Sequence, residues 1–408
     1  MINDDAMSHL GAGRPLVVIC QHRLVHYRLS LFNKLQQACA VRGVDLRLVH
    51  GQASPRERIK KDEGQLDWAD VVVNRWWAVG PVDLLWQPLP QALRRADLIV
   101  LMQENRILSN YWVWLTSWRC PGLLAFWGHG RNFQSTAPGG WRERWKTWWL
   151  LRVDWWFTYT QGTRRYIAGK GFDIERITSL DNAVDETGFI RDLSSVTAAQ
   201  LESARVNLGI GAGAEVAIFC GSLYAEKRIA LLLASADLLR ARLANFHLLV
   251  LGDGPDAGLV KAALPNRPWL HWLGQRRGPE KALYYRCASV MLNPGLVGLH
   301  VVDAFIAKTP LVTQASAAHS PEYDYLVNGE NGLSVAADSA ASYAEAVATI
   351  FTQPGLLATM QAHCARDAGR YTLERMVQNF ADGIVACLVR HGRLPANTTG
   401  GSQPICPS

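Results

Sequence analysis

The sequence predicts an α/β fold built as two parallel-sheet halves, and three observations carry that prediction. At 408 residues the chain is too long for one ordinary hydrophobic core, so two domains are the default. Short apolar runs alternate with amphipathic stretches almost throughout, the pattern of strand–helix units stacked on a parallel sheet. The alternation breaks once, in LSSVTAAQLESARVNLGIGAGAE, which reads as a polar helix followed by a Gly-rich hinge. The expected division is a first domain over 1–190, a linker over 191–213 and a second domain over 214–370. A last helix over 371–390 and a turn-rich tail over 391–408, expected to be disordered, complete it.

In chain order, PLVVIC (15–20) reads as a buried strand and HYRLSLFNKLQQAC (26–39) as the helix after it. VDLRLVHG (44–51), ADLIVLM (96–102), CPGLLAFWGHG (120–130), WWFTYT (155–160) and ITSLDN (177–182) are the further strands of the first half. The second half repeats the pattern with VAIFCGSL (216–223), HLLVLGDG (247–254), WLHWLG (269–274), SVMLNPG (289–295) and TPLVTQ (309–314).

Composition narrows the class. Hydrophobic residues make up 49% and charged residues 19%, as in a soluble globular protein, and the net charge of +7 favours an anionic partner. The eight cysteines are scattered, with no C-x-x-C, so reduced thiols in a cytoplasmic protein are expected in place of a disulfide framework or a zinc site. The apolar run LVVIC is too short for a signal-peptide core, and no run reaches the roughly 18 residues of a spanning helix.

Ligands of open parallel sheets bind beyond the carboxyl ends of strands. Four strands of the second half end in glycine turns: CGSLYAEKR (220–228), LGDGPD (251–256), LGQRRG (273–278) and NPGLVGLH (293–300). Glycine lets backbone N–H groups approach a phosphate, and a following helix adds partial positive charge. Any one such turn has an equal reading as backbone geometry alone. Four of them, with Lys227 and Arg228 beside the first, point to an anionic nucleotide. LGDGPDAG spaces its glycines wrongly for a dinucleotide fingerprint, and no P-loop motif is present.

Residues 216–335 resemble the nucleotide-binding half of the family 4 glycosyltransferases, whose fold is GT-B. CGSLYAEKR, LGDGP, NPGLVGLHVVDAF and HSPEYDYLVNGENG stand, in order, where that family has its G-R-L-x-x-x-K-G, G-x-G-P, E-x7-E and PE-x-x-x-x-G-x-N-G stretches. The resemblance implies two Rossmann-like domains facing each other across a cleft, the last helix packing back on the first domain. It implies a retaining transferase that uses a nucleotide-sugar as co-substrate, with no cofactor and no metal expected. By the same resemblance Lys227 meets the diphosphate and Asp303 the ribose. Gly221, Ser222, Arg228, Gly252, Gly274, Gln275, Gly295, Val297, Gly298, Leu299 and Glu322 line the donor site. Two positions depart from the family: Ser222 replaces an arginine, and Gly295 stands where E-x7-E has its first glutamate, which puts the donor sugar in doubt.

In the first half, WGHGRNF (127–133) places His129 and Arg131 at a strand-end turn, and QHRLVHYR (21–28) does the same for His26 and Arg28. The resemblance puts His129 near the donor sugar; a turn histidine capping a helix is the alternative. His26, Arg28 and Arg131 are candidates for the acceptor side, with helix capping and packing the competing role for the loop 26–28. Trp141, Trp145, Trp148 and Trp149 recur on one helical face, with Arg142, Arg144 and Lys146 mostly off it. Such a face either lies in a membrane interface, at the inner membrane surface, or packs on the domain's own sheet. A glycan or lipid-linked acceptor is expected and nucleic acid is not, because the basic residues are dispersed among acids. A non-catalytic nucleotide-sugar scaffold is the competing function.

Overall fold

The computed structural model describes residues 13–60, 62–80, 82–117, 122–130 and 147–396. The chain divides into two compact units, one comprising Met1–Val184 with Leu373–Ser408, the other Asp185–Thr372. The first unit is built on β1 (Leu16–Gln21), β2 (Asp45–His50), β3 (Asp70–Val71), a separate hairpin of β4 (Arg75–Val79) and β5 (Val82–Trp86), then β6 (Leu98–Met102), β7 (Leu123–Gly128), β8 (Trp155–Thr158) and β9 (Ile177–Ser179). Seven of these form one parallel sheet in the order β3-β2-β1-β6-β7-β8-β9. Helices α1 (Leu29–Val41), α2 (Leu108–Leu115) and α3 (Gln161–Gly169) accompany it.

The terminal helix, Leu373–Arg390, belongs to this unit. It buries Leu373, Met376, Phe380, Ile384 and Leu388, a stripe at helical spacing, in the same core as Ile19, Leu35 and Trp127. Phe380 meets the Trp127 ring at 5.0 Å and that of Phe157 at 4.6 Å. Each such side chain contributes about 1.5–3 kcal/mol, enough to bring this distant segment back to the first sheet.

The second unit starts earlier than the expected 214. Residues 187–190, assigned above to the first domain, and 191–207, assigned to the linker with its polar helix, form α4 (Thr187–Ser195) and α5 (Ala198–Asn207), the latter opened by a Thr197/Gln200 capping box. Both pack on a helix of the second unit, with Phe189 edge-on to Tyr285 at 5.3 Å. The polar face suggested a connector because the partner that covers its apolar side lies some eighty residues on. The sheet contains β10 (Val216–Cys220), β11 (His247–Leu251), β12 (Leu270–Gly274), β13 (Val290–Leu292), β14 (Leu311–Gln314) and β15 (Gly332–Val335), in the order β12-β11-β10-β13-β14-β15, all parallel. Around it run α6 (Ile229–Arg242), α7 (Ala257–Ala263), α8 (Gly278–Cys287), α9 (His300–Ile306), α10 (Ala340–Thr352) and α11 (Leu356–Ala368). Among the described residues no helix is long and apolar enough to cross a membrane, and the six described cysteines are all free.

Candidate functional site

In the second unit the strand order reverses between β10 and β13, and such a reversal leaves a crevice beyond the strand ends. Lys227 stands there, on the turn after β10. Its side chain is buried, and its Nζ donates to the Leu296 carbonyl at 2.5 Å, from the turn after β13. Gly221 lies beside it: a Cβ there would stand 3.8 Å from the Lys227 Cε and 4.0 Å from the ammonium, an ordinary contact. No carboxylate pairs with Lys227 among the described residues. Burial pushes its pKa down to about 7, with the Cys220 thiol opposing. A buried cation whose hydrogen bond goes to one carbonyl retains donors for an anion.

The β13 turn is held against this lysine. A Cβ on Gly295 would come within 2.1 Å of the Glu226 carbonyl oxygen and 2.5 Å of the Lys227 Cα, so only glycine lets the two turns touch. Leu296 N–H donates to that same Glu226 oxygen at 2.8 Å, and Asn293 and Thr313 donate to the Leu296 and Gly295 carbonyls. Val297, expected to offer its amide to the donor, instead donates to His319 Nδ1 at 3.2 Å, while His319 Nε2 donates to the Gln314 carbonyl. Burial lowers the basicity of His319, Gln314 opposing and Lys227 adding, which keeps the ring a neutral acceptor for that amide. The amides of Gly298, Leu299 and His300 have no acceptor among the described residues.

Asp303 lies in the first turn of α9, where its Oδ2 accepts from Lys281 Nζ at 2.7 Å. Lys281, on α8, packs over the Phe189 ring at 4.5 Å. Burial lowers the basicity of Lys281, but Asp303 outweighs it and the net shift is upward. This partner is 22 residues away and sequence reasoning missed it.

Other expected donor residues divide. Ser222 and Gln275 are exposed at the strand ends, and Glu322 is buried in a short helical turn. Gly252 is committed elsewhere: its N–H donates to the Gly274 carbonyl at 2.8 Å, and a Cβ on it would meet the Gly221 oxygen at 1.9 Å. Its glycine is needed for contact between turns. Arg228 is also committed, its guanidinium donating to Asp338 at 2.6 Å.

In the first unit Arg28 is not an open cation. It is buried, donates to Asn182 at 2.8 Å and to the Met376 sulfur, and lies 5.5 Å from the Trp127 ring. Its role is to tie the start of α1 to the terminal helix. His26 is exposed, its amide bonded to the Asp62 carbonyl. His129 follows β7 with its ring 4.5 Å from that of Tyr159. Arg131, Trp141, Arg142, Arg144, Trp145 and Lys146 lie outside the described residues. Trp148 and Trp149 pack inward against Trp114, and Trp149 against Phe126. For these two the packing reading holds.

The first sheet reverses between β1 and β6, where the loop QHRLVHYR brings His22 into a charged cluster whose other members, Glu57, Glu104 and Arg106, sequence reasoning missed. His22 is buried with Nε2 3.3 Å from Glu57 Oε1. Arg106 donates to the same oxygen at 2.8 Å and to Glu104 at 2.6 Å. Burial alone would raise the Glu57 pKa, yet hydrogen bonds from His22 and Arg106 hold it well below the usual carboxylate range. Among the described residues no three His, Cys, Asp or Glu side chains converge as a metal site would need.

Known proteins share this architecture. The Anabaena protein Alr3699/HepE, solved in complex with UDP, matches over 91% of this chain and 100% of its own, with a TM-score of 0.64 and 13% identity. A glycosyltransferase from Rickettsia africae ESF-5 matches over 92% and 99%, with a TM-score of 0.65 and 11% identity. WaaG, a glycosyltransferase involved in lipopolysaccharide biosynthesis, matches over 94% and 100%, with a TM-score of 0.55 and 14% identity. The fold is GT-B. At such identities the likeness shows the fold alone. By sequence, residues 214–353 match the family model described as "Glycosyl transferases group 1", which covers the second unit's β10–β15 sheet and its Lys227 site. No curated protein sequence matches the chain.

Proposed function

We propose that this GT-B protein transfers a sugar, with retention of configuration, from a nucleoside diphosphate sugar to a glycan or lipid-linked acceptor. The observation that carries the reading is Lys227, a buried ammonium with no carboxylate partner among the described residues, at the reversal point of the second sheet. In the reaction the bond from the anomeric carbon to the diphosphate breaks as the acceptor oxygen bonds to that carbon. The acceptor proton passes to the departing diphosphate. Lys227 and the amides of Gly298 and Leu299 neutralise the charge that develops there, an electrostatic role that calls on no metal in this reading. Asp303 holds the ribose, and surface polysaccharide or glycoconjugate synthesis in the cytoplasm is the setting. The UDP complex of HepE and the lipopolysaccharide role of WaaG support that choice of donor class and pathway.

The first test is a thermal-shift screen of UDP-, GDP-, ADP- and dTDP-sugars on wild type and Lys227→Ala. A rise with one base that the variant lacks is expected; no rise with any donor counts against the reading. A second reading, a non-catalytic nucleotide-sugar scaffold, draws on Gly295, which closes the position of the family's first glutamate. Measured release of sugar or nucleoside diphosphate on incubation with the bound donor separates the two: a scaffold binds and releases nothing.

A further inference from the structure

The hairpin β4–β5 shows a face that the reactions above do not use. In its antiparallel register Trp77 stands opposite Leu84, Val79 opposite Val82, and Arg75 opposite Trp86, so these six side chains share one side. The other side carries Leu85, fully buried, and Asp83, nearly so; it faces the unit's interior. On the outer side Trp77, Val79 and Val82 are 48%, 56% and 45% exposed. The Trp86 ring meets Trp112 at 6.2 Å, which extends the apolar surface onto α2, where Trp112 and Leu115 are 53% and 59% exposed. Scattered exposed apolar residues are ordinary, but a continuous patch marks an interaction site.

Charge selects the occupant. Helix α2, LSNYWVWL, carries no charged residue. From Arg75 to Arg95 the only acid is Asp83, which points inward to Arg56 at 3.6 Å, while Arg75, Arg94 and Arg95 are exposed. Tryptophans on an apolar face with a cationic rim fit a bilayer interface, the rings among the headgroups and the guanidiniums on anionic lipid. We propose that the outer face of β4–β5 together with Trp112 and Leu115 of α2 docks the chain on an anionic membrane surface. The surface is independent of what the second unit catalyses.

The test is co-sedimentation of the full chain with vesicles of phosphatidylcholine alone and with one part in three of phosphatidylglycerol. The wild type is expected to bind the anionic vesicles at least several-fold better, less so as salt is raised. The triple variant Trp77→Ser, Val79→Ser, Val82→Ser alters only solvent-facing positions, and an unchanged melting temperature and UDP response certify its fold. It should lose the binding, and Arg94→Gln with Arg95→Gln should lose the preference for anionic lipid. Failure of the wild type to sediment with anionic vesicles overturns the proposal, as does a folded triple variant that sediments like wild type. So does a concentration-dependent dimer, seen by light scattering, that the triple variant abolishes without any vesicle binding, since the face would then belong to a second copy.

Discussion

At the β10/β13 reversal of the second unit a single buried lysine stands among backbone groups. At the β1/β6 reversal of the first, His22, Glu57, Glu104 and Arg106 fill the same topological position with one another. The first arrangement leaves charge unspent, and burial makes it costly to keep, as the lowered pKa of Lys227 records. The second spends its charges internally, and Glu57 is stabilised as an anion. The same position in the same kind of sheet thus holds, among the described residues, a cation without a carboxylate partner in one unit and a mutually paired network in the other.

Lys227→Ala breaks this contrast most severely. A charge-assisted hydrogen bond is worth about 1.5–3 kcal/mol, so UDP affinity by calorimetry should fall roughly 10- to 100-fold. The pH dependence carries a sign. With a free-protein pKa of about 7, the ammonium is formed below that pH, and a bound diphosphate favours the protonated state. Wild-type affinity should therefore decline above pH 7, by up to about tenfold per unit, while the variant loses that slope. The stability of the ligand-free protein runs the other way. Because the folded pKa is depressed, the unfolded chain binds more protons between about 7 and the ordinary lysine value, so the burial penalty is relieved as pH rises through that window.

Gly295→Ala attacks the geometry that holds the lysine. Its Cβ meets backbone atoms of Glu226 and Lys227, which cannot turn aside, so a loss of about 1–3 kcal/mol in stability is expected along with weaker UDP binding. Gly298→Ala is the control: the nearest atom to its Cβ is the Ser320 hydroxyl at 3.8 Å, and stability should move by less than about 0.5 kcal/mol. Urea denaturation of the two variants reads both. An equal loss in each would mean that turn flexibility, not the contact, sets the cost.

How far the sequence discloses these two edges follows from their materials. Aliphatic runs such as VAIFC and HLLVL announce strands, and glycines after them announce turns, so eleven strands and the Lys227 turn were legible locally. The terminal helix was legible from its apolar spacing. Hairpin β4–β5 was missed although Gly80-Pro81 between two apolar runs is a turn signal, and four-residue β15 is too short to stand out. The His22 cluster joins residues 35, 49 and 84 positions apart, and no local pattern records such a meeting. For the same reason the sequence left Arg28 between an acceptor-side cation and a packing residue, because Trp127, Tyr159 and Asn182, which enclose it beside neighbouring Tyr27, come from three distant segments.

Glu57→Gln tests the closed edge. With a folded pKa held below the unfolded one, Glu57 contributes stability that is present above about pH 4.5 and is lost as pH falls further. The variant should be less stable than wild type at pH 7, by about 1.5–3 kcal/mol for a charge-assisted pair, and the gap should narrow from pH 5 to pH 3. UDP affinity should not change. A pH-independent gap would mean that packing around Glu57, not its charge, stabilises the edge.

The smallest effect expected is the most local one. Lys281 fixes one oxygen of the Asp303 carboxylate, and under the proposed function it thereby sets how that carboxylate faces a ribose. Lys281→Met keeps the aliphatic stem over Phe189 but removes the hydrogen bond. UDP affinity should drop about three- to tenfold, roughly one ordinary hydrogen bond to a mispositioned acceptor, while pyrophosphate affinity stays as in wild type. Lys281→Arg, which still reaches Asp303, should recover most of the UDP affinity. If pyrophosphate weakens in parallel, Lys281 contacts the phosphates itself, and the open edge has two cations where the comparison above gives it one.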